Sequence, residues 1–176
     1  MLPGKLYRPA LVVIALMLVA VGNAQTPSKL IAPSERKAAP DFALQQADGS
    51  TLKLSDQRGK VVLLDFWATW CHGCKTEIPW YMDFQDKYKQ AGLSAIGVSM
   101  DDGWTVVKPF LAEHKLNYPV VLGNDEVTKL YQISNMPVTL LIDRDGKIAD
   151  WHVGMVDKAA FESEIRTLLD EKPLHS

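Results

Sequence analysis

The sequence predicts an α/β fold: one mixed central sheet with helices on both faces and an antiparallel pair of strands at one edge. Three observations carry that expectation. Residues 60–68, "KVVLLDFWA", form an apolar run broken only by Asp65, the mark of a strand covered on both faces. Strand-like and helix-like segments then alternate along the chain. Residues 138–154, "VTLLIDRDGKIADWHVG", hold two strand patterns joined by a turn at Asp145-Gly146, which closes the sheet with a hairpin.

The elements follow in order. "ADGSTLKLS" is a turn and then a short alternating strand at 51–54. After the apolar run, a helix should start at the cysteines and reach about residue 90, with Pro79 inside it, where a proline bends a helix. Residues 93–100, "LSAIGVSM", read as a second buried strand. Val106, Val107, Phe110 and Leu111 recur at helical spacing, with Asp101 and Asp102 where an N-cap belongs. "NYPVVLG" is a short strand and "DEVTKLYQ" a short helix. Residues 157–170 form a closing amphipathic helix, its Phe161, Ile165, Leu168 and Leu169 facing the core.

A chain of 176 residues suggests one domain, large enough to bury a core without disulfides. A formal net charge of -2 gives no reason to expect a nucleic-acid partner. Lys5 and Arg8 precede an apolar run at 10–22, with small residues Gly22 and Ala24 at its exit. That is a secretory signal, and the run is shorter than the roughly 20 residues of a comfortable membrane span. Residues 1–24 are therefore expected to be a signal peptide or, if retained, an N-terminal anchor and the chain's sole membrane attachment. Residues 25–39 read as a flexible linker, and the folded domain is expected over 40–172. An exported protein meets an oxidising space, and two cysteines are too few for a disulfide-stapled scaffold.

Those two cysteines, Cys71 and Cys74, lie in "DFWATWCHGCK" at 65–75. Cys71 follows a buried strand and should sit at the first turn of a helix, where unpaired N–H groups and the dipole favour a thiolate. Cys74, one turn on, is within reach and should be more buried. Cys71 would then attack a partner disulfide and Cys74 resolve the mixed disulfide. The alternatives fare worse. A zinc site needs about four ligands, and His72, His114, His152 and His175 show no paired spacing; no metal is expected. Covalent haem needs histidine directly after the second cysteine, where Lys75 stands. A passive staple across so short a loop removes little unfolded-state entropy.

The segment "VVLLDFWATWCHGCKTEIPWY" resembles the active-site region of thioredoxin-fold proteins. With "APDFAL", "LSDQRGKVVLLDFWATWC" and "MPVTLLIDRDGKI" it resembles the exported thiol–disulfide reductases of the TlpA/ResA type, over about 39–169. The resemblance implies a thioredoxin-like fold with an extra helix–strand insertion between 101 and 123, and no cofactor. It implies a periplasmic location, a disulfide-bearing protein substrate such as an apocytochrome c or a copper-site assembly protein, and a membrane dithiol as electron donor. Residue by residue, Trp70 matches the tryptophan that shields the cysteine pair. Met136-Pro137 matches the bond before a cis-proline, where the Met136 backbone would pair with a partner's extended peptide. Asp65 matches the buried acid that takes and returns the proton of the resolving cysteine. Glu77 matches an acid beside the pair that tunes its pKa, and Pro79 a helix-kinking proline. Blander readings stand beside these: packing for Trp70 and Met136, and a first-turn acid favoured by the dipole for Glu77. Asp65 in an apolar strand resists one, because a buried carboxylate is costly unless paired or used. His114, His152 and Trp104 read as residues of ordinary surfaces.

The chain departs from the pattern at Gly73, where the family often has proline, at the variable His72, and at Asp65, often asparagine in the TlpA/ResA group. These positions tune the redox potential. One pKa unit is about 1.4 kcal/mol, or roughly 30 mV for this two-electron couple. The helix terminus and a protonated His72 would stabilise the Cys71 thiolate and make the disulfide more oxidising; ionised Asp65 and Glu77 would oppose them. The resemblance, not this balance, favours a reductase. Three other readings are a dithiol oxidase, a peroxidase of the peroxiredoxin type, which would want threonine where Ala68 stands, and a chaperone holding Cu(I) on the two sulfurs.

Overall fold

Strand Val61–Trp67 (β3) is buried along its whole length and forms the middle of a five-stranded sheet. The computed structural model describes residues 30–172; the expected signal at 1–24 and the start of the linker lie outside them. On one side of β3 lie the parallel strands Leu93–Ser99 (β4) and then Val120–Leu122 (β5). On the other side lie the antiparallel strands Val138–Ile142 (β6) and then Ile148–Val153 (β7). The sheet is mixed, as the sequence predicts. A separate hairpin pairs Ala43–Gln45 (β1) with Thr51–Lys53 (β2).

Alternation along β3 sends its side chains into two cores. Val61, Leu63 and Trp67 meet residues of His72–Tyr88 (α1), Trp104–His114 (α2) and Lys158–Asp170 (α4), among them Ile78, Phe84, Val107, Phe161 and Leu168. Val62, Leu64 and Phe66 meet the hairpin residues Phe42, Leu44 and Leu52 and, at Asp125–Leu130 (α3), Val127 and the following Tyr131. Helices therefore cover both faces. The inserted pair is α2 and β5: Phe110 of α2 packs on Trp67 with ring centroids 4.9 Å apart.

Two local expectations change. Asp101 and Asp102 do not cap α2; its N-cap is Gly103, without a side-chain bond. Asp101 instead accepts from the Thr69 N–H at 2.9 Å and the Thr69 hydroxyl at 2.6 Å. Two strong donors outside the helix hold the carboxylate more fully than the helix end does, and they tie the end of β4 to the loop before Cys71. Val106, at an apolar-face spacing, is 50% exposed, and Val107 makes the buried contact of that turn.

From Leu30 onward the expected flexible linker lies along the β6–β7 hairpin. The Ile31 N–H donates to Ala149 O, the Ile148 N–H to Lys37 O and the Ala39 N–H to Gly146 O. Arg36 anchors this strap. Its buried guanidinium meets Asp143 at 3.1 Å and Glu171, just beyond α4, at 2.6 Å, and its Nε donates to Ile31 O. Arg36→Ala leaves Asp143 without its cation and should cost about 2–3 kcal/mol, somewhat less than a fully buried pair because Glu171 is part-exposed. Urea unfolding measures this; a loss below about 0.5 kcal/mol would show that the strap adds nothing to the fold.

Candidate active site

The end of β3 delivers the two cysteines to the start of α1. The Cys71 N–H donates to Ala68 O at 3.0 Å, closing the turn between them. Cys71 is the N-cap of α1, and its Sγ accepts from the Cys74 N–H at 3.2 Å. The pair forms a disulfide with Cα atoms 5.4 Å apart. Cys71 is 6% exposed and Cys74 0%, so an incoming sulfur can reach only Cys71. Once reduced, Cys71 keeps a helix N-terminus against its sulfur, which favours the thiolate.

Around the disulfide, the predicted residues divide into surface and interior. His72 faces solvent. Trp70 is 67% exposed, so core packing does not account for it. Gly73 lies where a Cβ would come within 3.3 Å of both Pro137 Cδ and Met155 Cγ; a larger residue would press on the cis-proline loop. The Met136-Pro137 bond is cis. Pro137 is buried, and its carbonyl accepts from the Gly154 N–H at 2.9 Å. Among the described residues, the half-buried Met136 makes no backbone hydrogen bond. Its N–H and C=O are available to an extended chain laid beside the disulfide, with exposed Trp70 and Met155 flanking the same region.

Beneath this surface lie the acids. Asp65 is fully buried, and neither carboxyl oxygen has a hydrogen-bond partner. Burial, reinforced by Glu77, pushes it well above the usual carboxylate range. Glu77 is also fully buried; its Oε1 accepts from the Val156 N–H at 2.6 Å, while Oε2 has no partner. Burial raises Glu77 as well, opposed by the Val156 N–H, by Tyr81 and by His152. Glu77 stands beyond the first turn of α1, so the dipole reading does not explain it.

Several neighbours of these acids carry no motif. Tyr81, four residues after Glu77, shares its helix face and meets the Thr139 hydroxyl at 2.9 Å. Tyr118 is buried with its hydroxyl unpartnered. Burial raises both phenols well above their ordinary value, and the charge of Asp65 adds to this. His152, read from sequence as a surface residue, lies with its Nδ1 3.2 Å from Asp150 Oδ2 and its ring edge-on to Phe161. Among the described residues, no three His, Cys, Asp or Glu side chains gather as a metal-binding group. The arrangement suits sulfur exchange at Cys71 and sets two interacting buried acids, Asp65 and Glu77, on the strand before the pair and the helix that carries it.

Comparisons with known proteins agree with this chemistry. A model of the AhpC/TSA family matches residues 36–151. The chain is 40% identical over 145 residues to the thiol-disulfide oxidoreductase ResA of Oceanobacillus iheyensis, spanning 80% of this chain and 74% of that protein. It is 37% identical over 116 residues to ResA of Bacillus subtilis, spanning 65% of each. Among solved structures it resembles one described as a thiol:disulfide interchange protein DsbE from Chlorobium tepidum, with TM-score 0.73 and 39% identity over 76% of this chain and 96% of that one. A thiol:disulfide interchange protein from Bacteroides is similar at TM-score 0.69 and 26% identity, over 77% and 90% of the two chains.

The buried acids link stability to pH. Asp65 and Glu77 hold protons more tightly folded than unfolded, where their ordinary values are 3.8 and 4.5. Between those values and the raised folded ones, the folded state binds more protons, so stability falls as pH rises through the window. Asp65→Asn should raise stability at neutral pH and flatten the slope, as urea unfolding between about pH 4 and pH 8 would record. A slope unchanged by the substitution would mean that folding does not raise the Asp65 pKa.

Proposed function

The chain belongs to the AhpC/TSA family and, within the thioredoxin superfamily, to the thiol–disulfide oxidoreductases of the ResA type, and on that premise we propose that it is an exported reductase of partner-protein disulfides. The observation that carries the reading is the asymmetry of the pair: Cys71 at the surface, Cys74 enclosed, and the open Met136 backbone in the loop beside them. The Cys71 thiolate attacks one sulfur of the partner disulfide, whose other sulfur leaves as a thiolate. The partner's peptide is held as an added strand by Met136 and Pro137, with Trp70 covering the pair. Cys74 then gives up its proton to Asp65 and attacks Cys71, and the second partner sulfur leaves. Two electrons pass to the partner, and the Cys71–Cys74 disulfide is restored.

A membrane dithiol carrier returns the two electrons. Export rests on the apolar segment at 10–22 and its basic flank, and it places the chain in the periplasm, anchored if that segment is retained. Among the described residues no helix is long and apolar enough to cross a membrane. The substrates proposed are apocytochrome c cysteines or copper-site assembly proteins. Glu77 tunes the pair from below, and His72 and Gly73 tune it from within the motif.

Cys74→Ser removes the resolving sulfur and should accumulate a mixed disulfide between Cys71 and the partner, visible as an adduct that dissolves on reduction and is absent when Cys71 is also replaced. If no adduct forms in cells that express the partner, the exchange mechanism is wrong. The direction is tested separately by the redox potential. A reductase should lie near the thioredoxin value of about -270 mV; a value near the -120 mV of strong oxidants would make the chain a dithiol oxidase.

A further inference from the structure

Asp65, the proposed acceptor of the Cys74 proton, begins a line of residues across the sheet. In the β3–β6 register Asp65 is opposite Thr139, and in the β6–β7 register Thr139 is opposite His152. Directly opposed residues have Cβ atoms about 4.5–5.5 Å apart and point to one face. On that face α1 lays Glu77 and Tyr81 over the line, with the Tyr81 hydroxyl on Thr139. Asp65, Glu77, Tyr81 and Thr139 are all 0% exposed, so none meets water. His152 differs: 22% of its side chain is exposed, and Asp150, in the same strand, holds its Nδ1.

Resting on the dithiol reading above, we propose that His152 is the solvent-side end of a proton path that starts at Asp65 and Glu77, runs through Tyr81 and Thr139, and discharges the proton taken from Cys74. The need for an outlet follows from the burial. A carboxyl group that water cannot reach must lose its proton through neighbours before it can accept the next one. Asp65 and Glu77 also have three carboxyl oxygens without partners between them, Asp65 Oδ1 and Oδ2 and Glu77 Oε2, and these can hold the proton in transit. The accounting closes as follows. The proton of the Cys74 thiol goes to the Asp65 carboxylate and out along the line to water at His152. The electron pair it leaves on Cys74 forms the bond to Cys71 and expels the partner sulfur as a thiolate, which takes a proton from solvent.

The surroundings of His152 favour such a role. Asp150 faces it from β7, Thr139 from β6 and Glu77 from α1, and α4 offers the uncharged edge of Phe161. On α4, Lys158 pairs with Asp83, and Glu164 is buried. An imidazole has two ring nitrogens, so it can take a proton on one and pass a proton on from the other.

The test follows a single turnover of the reduced chain with oxidised glutathione, monitored by tryptophan fluorescence across pH. In His152→Ala the resolving step should slow by about tenfold to a hundredfold near neutral pH, at or below the low end for a positioned proton carrier. The rate should recover as pH rises, and free imidazole should restore it. Tyr81→Phe, which deletes one oxygen and keeps the ring, interrupts the same path at its middle and should also slow resolution. The double variant should be no slower than the slower single one. Rates and pH profiles equal to the parent's, or a slowing that imidazole does not relieve, would overturn the path. A folded parent that fails to exchange with glutathione disulfide at all would instead overturn the dithiol reading beneath it.

Discussion

Two carboxyl groups held out of water, one on the strand that leads to the disulfide and one on the helix that carries it, set the terms for this site. An isolated ionised carboxylate in an apolar interior is expensive enough that the group keeps its proton instead. Asp65 has no hydrogen-bond partner at either oxygen, and Glu77 has one, from Val156. Such an arrangement persists only because the elements around it are strongly determined. β3, buried at every position, carries Asp65 into the sheet's centre, and the helix that begins at Cys71 carries Glu77 and Tyr81 over it.

The surrounding fold keeps those two elements in place. Asp101 binds Thr69 and so holds the loop that precedes Cys71 against the end of β4. Pro137 O binds Gly154, which joins the cis-proline loop to the loop after β7; Val156, two residues further on, binds Glu77. The cis-proline loop at the surface and the buried Glu77 are therefore joined through one short stretch of backbone. Gly73 is closely packed against Pro137 and Met155, so a larger residue between the cysteines would press on that stretch.

What could be read from the sequence was what has a period or a motif. β3 showed as an apolar run, α1 as a helix starting at the cysteines, and β6–β7 as a hairpin at Asp145-Gly146, because each is governed by neighbours in sequence. Cys71 and Cys74 stood out through their spacing and Asp65 through being polar in an apolar strand, whereas Met136-Pro137 was marked only by the resemblance to the TlpA/ResA type. Residues whose role depends on register could not be seen. Thr139 and His152 share a row with Asp65 only because β3, β6 and β7 pair as they do. Arg36 sat in a stretch without periodicity, and its partners are 107 and 135 residues away. Asp101 looked like a cap because it precedes a helix; only the folded loop brings Thr69 to it.

The structure also changes how the direction of the redox reaction is argued. A count of charges set the helix terminus and His72 against Asp65 and Glu77, with no winner. A buried acid repels a thiolate only when ionised, and burial raises the pKa of both Asp65 and Glu77, so their effect on the pair follows the protons they bind and release. A thiolate beside an ionised acid raises that acid's proton affinity, so across the range in which Asp65 and Glu77 titrate, reduction of the disulfide would draw protons into the cluster. Each proton bound on reduction shifts a two-electron couple by about 30 mV per pH unit. Proton uptake of this kind would favour the reduced dithiol at low pH, and the dithiol would give up its electrons more readily as pH rises. Carboxyls acting on the pair in this way would couple its potential to pH, and the sign of the reaction would depend on where the partner's potential and the compartment's pH stand relative to that slope.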